Sequence, residues 1–129
     1  MTDSLLLDTC ALLWLASGSR SLSKSTRSAI SNAQVVCVSP VTAWEIAVKT
    51  EKGKIVLPCP ARDWFDAVVA RYDIDVLKLS SDDMLRAAEL PWHHKDPADR
   101  FIIATALKND FTVVTSDGNF PKYGVRTIC

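Results

Sequence analysis

Leu5-Leu6-Leu7-Asp8 decides the fold class of this chain. Ser4 to Leu7 is apolar without alternation, as in a strand covered on both faces of a parallel sheet. The run ends on an acid. Working outward, Ala11 to Ala16 predicts a helix broken by Ser17-Gly18-Ser19. Ser23 can cap a helix to about Asn32, with Arg27 outward and Ile30 inward. Val35 to Val38 reads as a second strand. Ser39 as N-cap and Pro40 at the first helical position then start a helix that ends near Gly53. Pro58 and Pro60 punctuate a loop. Ala61 to Tyr72 is amphipathic, with Trp64, Phe65, Val68, Val69 and Tyr72 at helical spacing, which suits core or oligomer contacts.

Ile74 to Leu79 predicts a third, more exposed strand. Ser80 and Asp83 resemble a capping box for a helix that stops before Pro91. Asp96-Pro97 opens the helix Ala98 to Asn109. Phe111 to Thr115 and Val125 to Ile128 complete a set of about five strands. Strands alternate with helices throughout, which predicts a three-layer α/β fold with a mainly parallel sheet in one domain over residues 1–129. Sites in such sheets lie beyond the carboxyl ends of the strands, where Asp8 and Asp117 are expected.

The length of 129 residues fits one domain with a real core. Lys+Arg and Asp+Glu both number 15, so the net charge is zero. That argues against a strongly basic nucleic-acid coat protein but leaves room for a local basic rim. Cys10, Cys37, Cys59 and Cys129 form no Cys-x-x-Cys pair and no zinc-spaced cluster. Reduced structural thiols are expected, with Cys10 and Cys37 in or beside buried strands. The first residues lack a basic leader, and no run reaches the ~20 apolar residues of a membrane span. These features predict a soluble cytoplasmic protein.

The acids carry the chemistry. Asp8 follows the leucine run and also suits the N-cap of the next helix. Glu45 lies one turn inside its helix, where an i,i+4 pair with Lys49 is the bland alternative. Asp96-Pro97-Ala98-Asp99 is good helix-start chemistry in its own right, with Asp96 as cap. Asp117 precedes Gly118, a frequent turn pairing. Thr115 and Ser116 could steady a carboxylate by hydroxyl hydrogen bonds.

Together the blocks resemble a known arrangement. These are Leu5-Leu6-Leu7-Asp8-Thr9, Trp44-Glu45-Ile46-Ala47-Val48-Lys49, His94-Lys95-Asp96-Pro97-Ala98-Asp99-Arg100 with the following Phe101 to Ala106, and Val114-Thr115-Ser116-Asp117-Gly118-Asn119-Phe120. The chain resembles PIN-domain ribonucleases, in particular the VapC-like toxins of toxin–antitoxin operons. The blocks keep the family's order and span nearly the whole chain. The resemblance implies an acidic site at Asp8, Glu45, Asp99 and Asp117, with Asp96 as an extra acid. Ala98 stands where Phe is common, and Cys10 where Ser or His is common. The resemblance further implies an RNA substrate, a cognate antitoxin and a homodimer.

Carboxylates suit Mg²⁺ or Mn²⁺, and such a cation supplies the charge that phosphodiester hydrolysis needs. In this assignment Asp8 and Asp117 are the principal ligands, Asp99 is a ligand directly or through water, and Glu45 is a ligand or orienter of the attacking water. Thr9, Thr115 and Ser116 support them. His94, Arg100, Lys49 and Lys52 are candidates for substrate contact or a basic rim, with His93 in the same loop. A receiver-like phosphotransfer domain and a non-catalytic PIN-like binding module are the alternatives. The first is distinguished by stable aspartyl phosphate formation and the second by failure to bind Mn²⁺.

Overall fold

A computed structural model describes residues 4–129; residues 1–3, which include part of the stretch read for a leader, lie outside the described residues. In chain order the elements are β1 (Ser4–Leu7), α1 (Thr9–Ser17), α2 (Lys24–Asn32), β2 (Val35–Val38), α3 (Pro40–Glu51), α4 (Ala61–Arg71), β3 (Asp75–Val76), α5 (Ser81–Glu89), α6 (Pro97–Asn109), β4 (Thr112–Val114) and β5 (Thr127–Ile128). A short 3-10 turn at Phe120–Tyr123 precedes β5. The strands form one sheet in the order β3-β2-β1-β4-β5, with every pairing parallel.

Pleating of β1 sends its leucines to two cores. Leu5 and Leu7 pack with Leu12, Leu15, Ile30, Ile46, Trp64 and Val68, from α1 to α4. Leu6 faces the other way and packs with Ile102, Ile103, Ala106 and Phe120. Strand side chains alternate faces, so three consecutive buried leucines require cover on both sides. This is the three-layer α/β arrangement.

The chain winds from β1 to β2 and β3 on one side, then crosses to β4 and β5 on the other. The gap between β1 and β4 is therefore the switch point of the sheet, where loops diverge and leave a crevice. Leu7 is in register with Val114, and the Asp8 N–H donates to the Val114 carbonyl at 3.1 Å. The residues just after both strands are thus brought side by side.

Several boundaries depart from the sequence expectation. β3 is two residues long rather than Ile74 to Leu79, because only Asp75 and Val76 pair with β2 at the edge of the sheet. β5 begins at Thr127 rather than Val125, whose side chain is buried in the core with Ile102, Ile103 and Phe120. Arg27 is not turned outward: its guanidinium donates to the carbonyls of Trp14 and Ser19 at 3.2 and 2.6 Å, closing the end of α1. Gly18 takes φ +72° as the C-cap of α1, a conformation glycine adopts without penalty.

Cys37 is buried in β2, but Cys10 is exposed on the first turn of α1. Burial pushes the Cys37 thiol up to about 12. Burial and the neighbouring Asp8 also raise the Cys10 thiol. Alkylation of the native protein should therefore label Cys59 first and Cys10 more slowly, and spare Cys37 until denaturant is added. Mass spectrometry of the labelled peptides checks the order; native labelling of Cys37 at the rate of Cys59 would contradict the burial.

Candidate metal centre

Each acid is delivered by the end of an element. Asp8 leaves β1 and caps α1, accepting from the Ala11 N–H at 2.7 Å. Asp96 caps α6 and accepts from the Asp99 N–H at 3.1 Å, with Pro97 next in line. Both caps follow a familiar preference for Asp at positions whose side chain satisfies an orphan N–H. Asp99 sits in the first turn of α6. Glu45 projects from α3 and accepts a short hydrogen bond from the Thr9 hydroxyl. It also pairs with Lys49 at 2.8 Å. Asp117 follows β4, where the Asn119 N–H donates to its Oδ1 at 2.9 Å.

The tightest cluster joins Asp99, Asp117 and His94. His94 Nε2 lies 2.7 Å from Asp117 Oδ2 and 3.0 Å from Asp99 Oδ2. One ligand atom from each of the three falls within 4.8 Å of the others. The ring stands edge-on to the fully buried Phe120. The His94 backbone N–H donates to the Tyr123 hydroxyl at 2.9 Å.

The acids act on one another. Burial raises the Asp8 carboxyl, with Glu45 and Asp117 adding to the rise against hydrogen bonds from Thr115 and the Ala11 N–H. Asp99 is pushed up to about 7, first by burial and then by Asp96, Glu45 and Asp8, against the opposing pull of His94. For Asp117 burial works upward, but the Asn119 N–H and His94 together bring it below the usual range. Asp99 and Asp117 thus share one imidazole and shift in opposite directions. Asp99 has the acidic neighbours, whereas Asp117 has the backbone donor.

Arg100 is turned away from this pocket. Its guanidinium is 3% exposed and donates to the carbonyls of Ala87, Leu90, Pro91 and His94 at 2.7, 2.8, 3.0 and 3.0 Å. The Trp92 ring stacks on it at 3.6 Å. Those carbonyls belong to the end of α5 and the loop beyond it. The side chain therefore satisfies groups that a helix C-terminus leaves open. The expectation that Arg100 forms a basic rim is corrected: the charge is consumed inside the protein.

The PIN domain family model matches residues 5–125 of this chain. The chain belongs to the PIN-domain family. Among the proteins this PIN domain is similar to is Ribonuclease VapC22 of Mycobacterium tuberculosis, 28% identical over 115 residues, covering 88% of this chain and 87% of the relative. Solved structures give the same fold. VapBC2 from Rickettsia felis bound to a DNA fragment from its promoter superposes with a TM-score of 0.70 at 14% identity, covering 96% of each chain. DNA-bound VapBC from Salmonella typhimurium gives 0.68 at 18% identity, covering 98% of each. A toxin–antitoxin complex from Klebsiella pneumoniae gives 0.67 at 19% identity, covering 98% of this chain and 97% of that one.

Within this PIN domain, Asp8 lies near enough to feel the charges of Glu45 and Asp117, and Asp99 those of Asp96, Glu45 and Asp8. These charge effects link α3 and α6 with the residues just after β1, before α6 and after β4. Thr115 supports the crevice, accepting from the Asp117 N–H at 3.0 Å and restraining Asp8. Ser116 is exposed and makes no side-chain hydrogen bond among the described residues. Lys49 is tied to Glu45, as the i,i+4 spacing allows. His94 is neither a solvated loop residue nor free to meet a phosphate, because it sits between two acids. Nothing in the sequence marks Tyr123. Its hydroxyl receives the His94 N–H and donates to the Pro91 carbonyl at 2.6 Å. Only the fold brings residues 29 positions apart into that bond.

Proposed function

We propose that this PIN domain is an endoribonuclease that hydrolyses RNA phosphodiesters with Mg²⁺ or Mn²⁺. In this reading it is the toxin of a pair with a protein antitoxin. The observation that carries it is the convergence of five carboxylates on one crevice, with Asp99 pushed up to about 7. The similarity to a protein named ribonuclease and the fold shared with toxin–antitoxin structures support the same reading.

The donor set fits a hard divalent cation. The clustered donors are the Asp99 and Asp117 carboxylates and the His94 imidazole, with no thiolate among them, and neighbouring acids raise Asp8 and Asp99. Asp8, Asp99 and Asp117 would hold the ion, with Glu45 beside them and Asp96 acting mainly as the cap of α6. When bound, such an ion binds the phosphate, lowers the pKa of a water and stabilises charge developing in line. Glu45 is the protein group best placed to orient that water and take its proton. The Thr9 hydroxyl and Lys49 ammonium hold it in position. Asp8 is held by the Ala11 N–H and the Thr115 hydroxyl, and Asp117 by the Asn119 N–H.

An open groove of about 230 Å³ runs from Glu45 and Asp96 past Lys49, Lys52, Lys54 and the exposed Trp44. Lys52 and Lys54 have no acidic partner among the described residues and would meet an RNA backbone. Exposed Met84, Leu85, Trp92 and Leu107 suit burial in a homodimer. No helix among the described residues is long and apolar enough to cross a membrane. We place the activity in the cytoplasm, where RNA is met.

The direct test incubates purified protein with total RNA and Mg²⁺ or Mn²⁺. Cleavage is expected with either ion, is abolished by EDTA, and falls by about 10³-fold or more in Asp8→Asn. Equal cleavage by Asp8→Asn in EDTA would reject the assignment.

A further inference from the structure

His94, Asp99 and Asp117 meet the distance requirement for three ligands of one cation. The hydrogen bonds of the imidazole say otherwise for His94. A neutral imidazole has one N–H and one lone pair. The Asp96 N–H donates to Nδ1 at 3.2 Å, which occupies the lone pair there. The proton of the neutral ring must then sit on Nε2. That nitrogen faces two carboxylate oxygens, at 2.7 Å on Asp117 and 3.0 Å on Asp99. A histidine that ligates a metal shows the reverse: the nitrogen away from the ion donates its N–H to a carbonyl or carboxylate. Here the nitrogen away from the acids faces a backbone N–H, a group that cannot accept.

We infer that His94 is a positioning residue and not a ligand: its Nε2–H gathers the Asp99 and Asp117 carboxylates and leaves the cation an all-oxygen site. The inference rests on the reading of this crevice as a divalent-cation centre.

The ring has little freedom to reverse. Its side chain is 11% exposed and lies edge-on to Phe120. The loop is pinned on both sides of the backbone, by Tyr123 at the N–H and by Arg100 at the carbonyl. Asp96 serves twice. Its carboxylate holds the Asp99 N–H while its own N–H sets the tautomer of His94. The start of α6 thereby aligns both Asp99 and the imidazole that steadies it. An all-oxygen site favours Mg²⁺ and Mn²⁺, whereas an imidazole ligand would favour Zn²⁺ or Ni²⁺.

The test uses the full chain. It has only two histidines, so ¹⁵N-histidine labelling with His93→Gln as the assignment control isolates His94. In metal-free protein the His94 Nε2 should carry the proton and Nδ1 should be unprotonated. Both features should persist when diamagnetic Mg²⁺ is added. In Mn²⁺-loaded protein, electron spin-echo spectroscopy should show no directly coordinated nitrogen. Calorimetry with Mn²⁺ should show about tenfold or more loss of affinity in His94→Ala, and substantial recovery in His94→Gln, which restores an N–H donor.

A Nε2 without its proton in the Mg²⁺ form, or a nitrogen-coordinated Mn²⁺, would overturn the role of His94 while leaving the cation centre intact. Unchanged Mn²⁺ affinity in His94→Ala would also overturn it. Failure of the wild-type protein to bind either ion would remove the centre and the inference together. The spectroscopic measurements on unmodified protein hold even where a His94 variant folds poorly.

Discussion

Replacing Arg100 with Met is expected to lower folding stability by about 3–5 kcal/mol. The substitution keeps much of the volume but removes every donor. The carbonyls of Ala87, Leu90, Pro91 and His94 then lose their shared partner in a poorly hydrated site. A domain of this size is stabilised by only about 5–15 kcal/mol, so a large part of the margin goes. The Trp92 ring also loses the cation it stacks on.

Arg100→Lys should fall between the two, at about 2 kcal/mol. One ammonium cannot span two sets of carbonyls as a planar fork does. Urea denaturation of the three proteins measures the series. A loss below about 1 kcal/mol in Arg100→Met would show that water replaces the guanidinium without difficulty. Because the same fork holds the His94 carbonyl, the Met variant should bind Mn²⁺ more weakly even where it remains folded.

Asp99→Asn should separate stability from activity. Cleavage of RNA should drop about 10³-fold or more, because in the proposed reading Asp99 is a charged ligand of the centre. The metal-free protein should nevertheless become more stable at pH 7.5. Asp99 carries a raised carboxyl in the folded state, at about 7 against 3.8 for the ordinary group. Between those values the folded chain holds more protons than the unfolded one, so stability falls as pH rises from about 4 to about 7. The penalty is full above that window and absent below it. Shared among interacting acids, it amounts to roughly 1–2 kcal/mol, or about 5 °C in Tm.

Wild-type protein in EDTA should therefore melt at a lower temperature at pH 7.5 than at pH 5. Asp99→Asn should flatten most of that slope, leaving the smaller part due to Asp8. Adding Mg²⁺ should raise the melting temperature of wild type and barely move the variant. Calorimetric scans at the two pH values decide it. A wild type that gains stability from pH 5 to pH 7.5 in EDTA would show that Asp99 is not held up by its neighbours.

Sequence and structure contributed at different length scales. Leu5-Leu6-Leu7 required a strand buried on both faces, and three leucines in a row admit no solvent side. The Ser39-Pro40 start, the Ser80/Asp83 capping box and the Asp96-Pro97 start were all legible, because caps are local chemistry within four residues. The length of β3 was not legible. Pairing at a sheet edge depends on where β2 ends, not on the alternation of residues 74 to 79.

Read from local spacing the acids could be found one by one, and only the resemblance to a family grouped Asp8, Glu45, Asp99 and Asp117 as one site. Each also had an ordinary helix-start or turn role, and Asp8 and Asp96 do perform it. What the sequence determined was the set of elements, their caps and the carboxylates at their ends. The tertiary structure alone decided which other side chains join those acids and which turn away. It put Arg100 on the carbonyls behind α5 rather than on the surface, and His94 between Asp99 and Asp117 rather than in solvent. The reason is physical. A cap is satisfied by its neighbours in the chain, whereas the Arg100 guanidinium and the bond from the His94 imidazole to Asp117 need partners that folding brings to them.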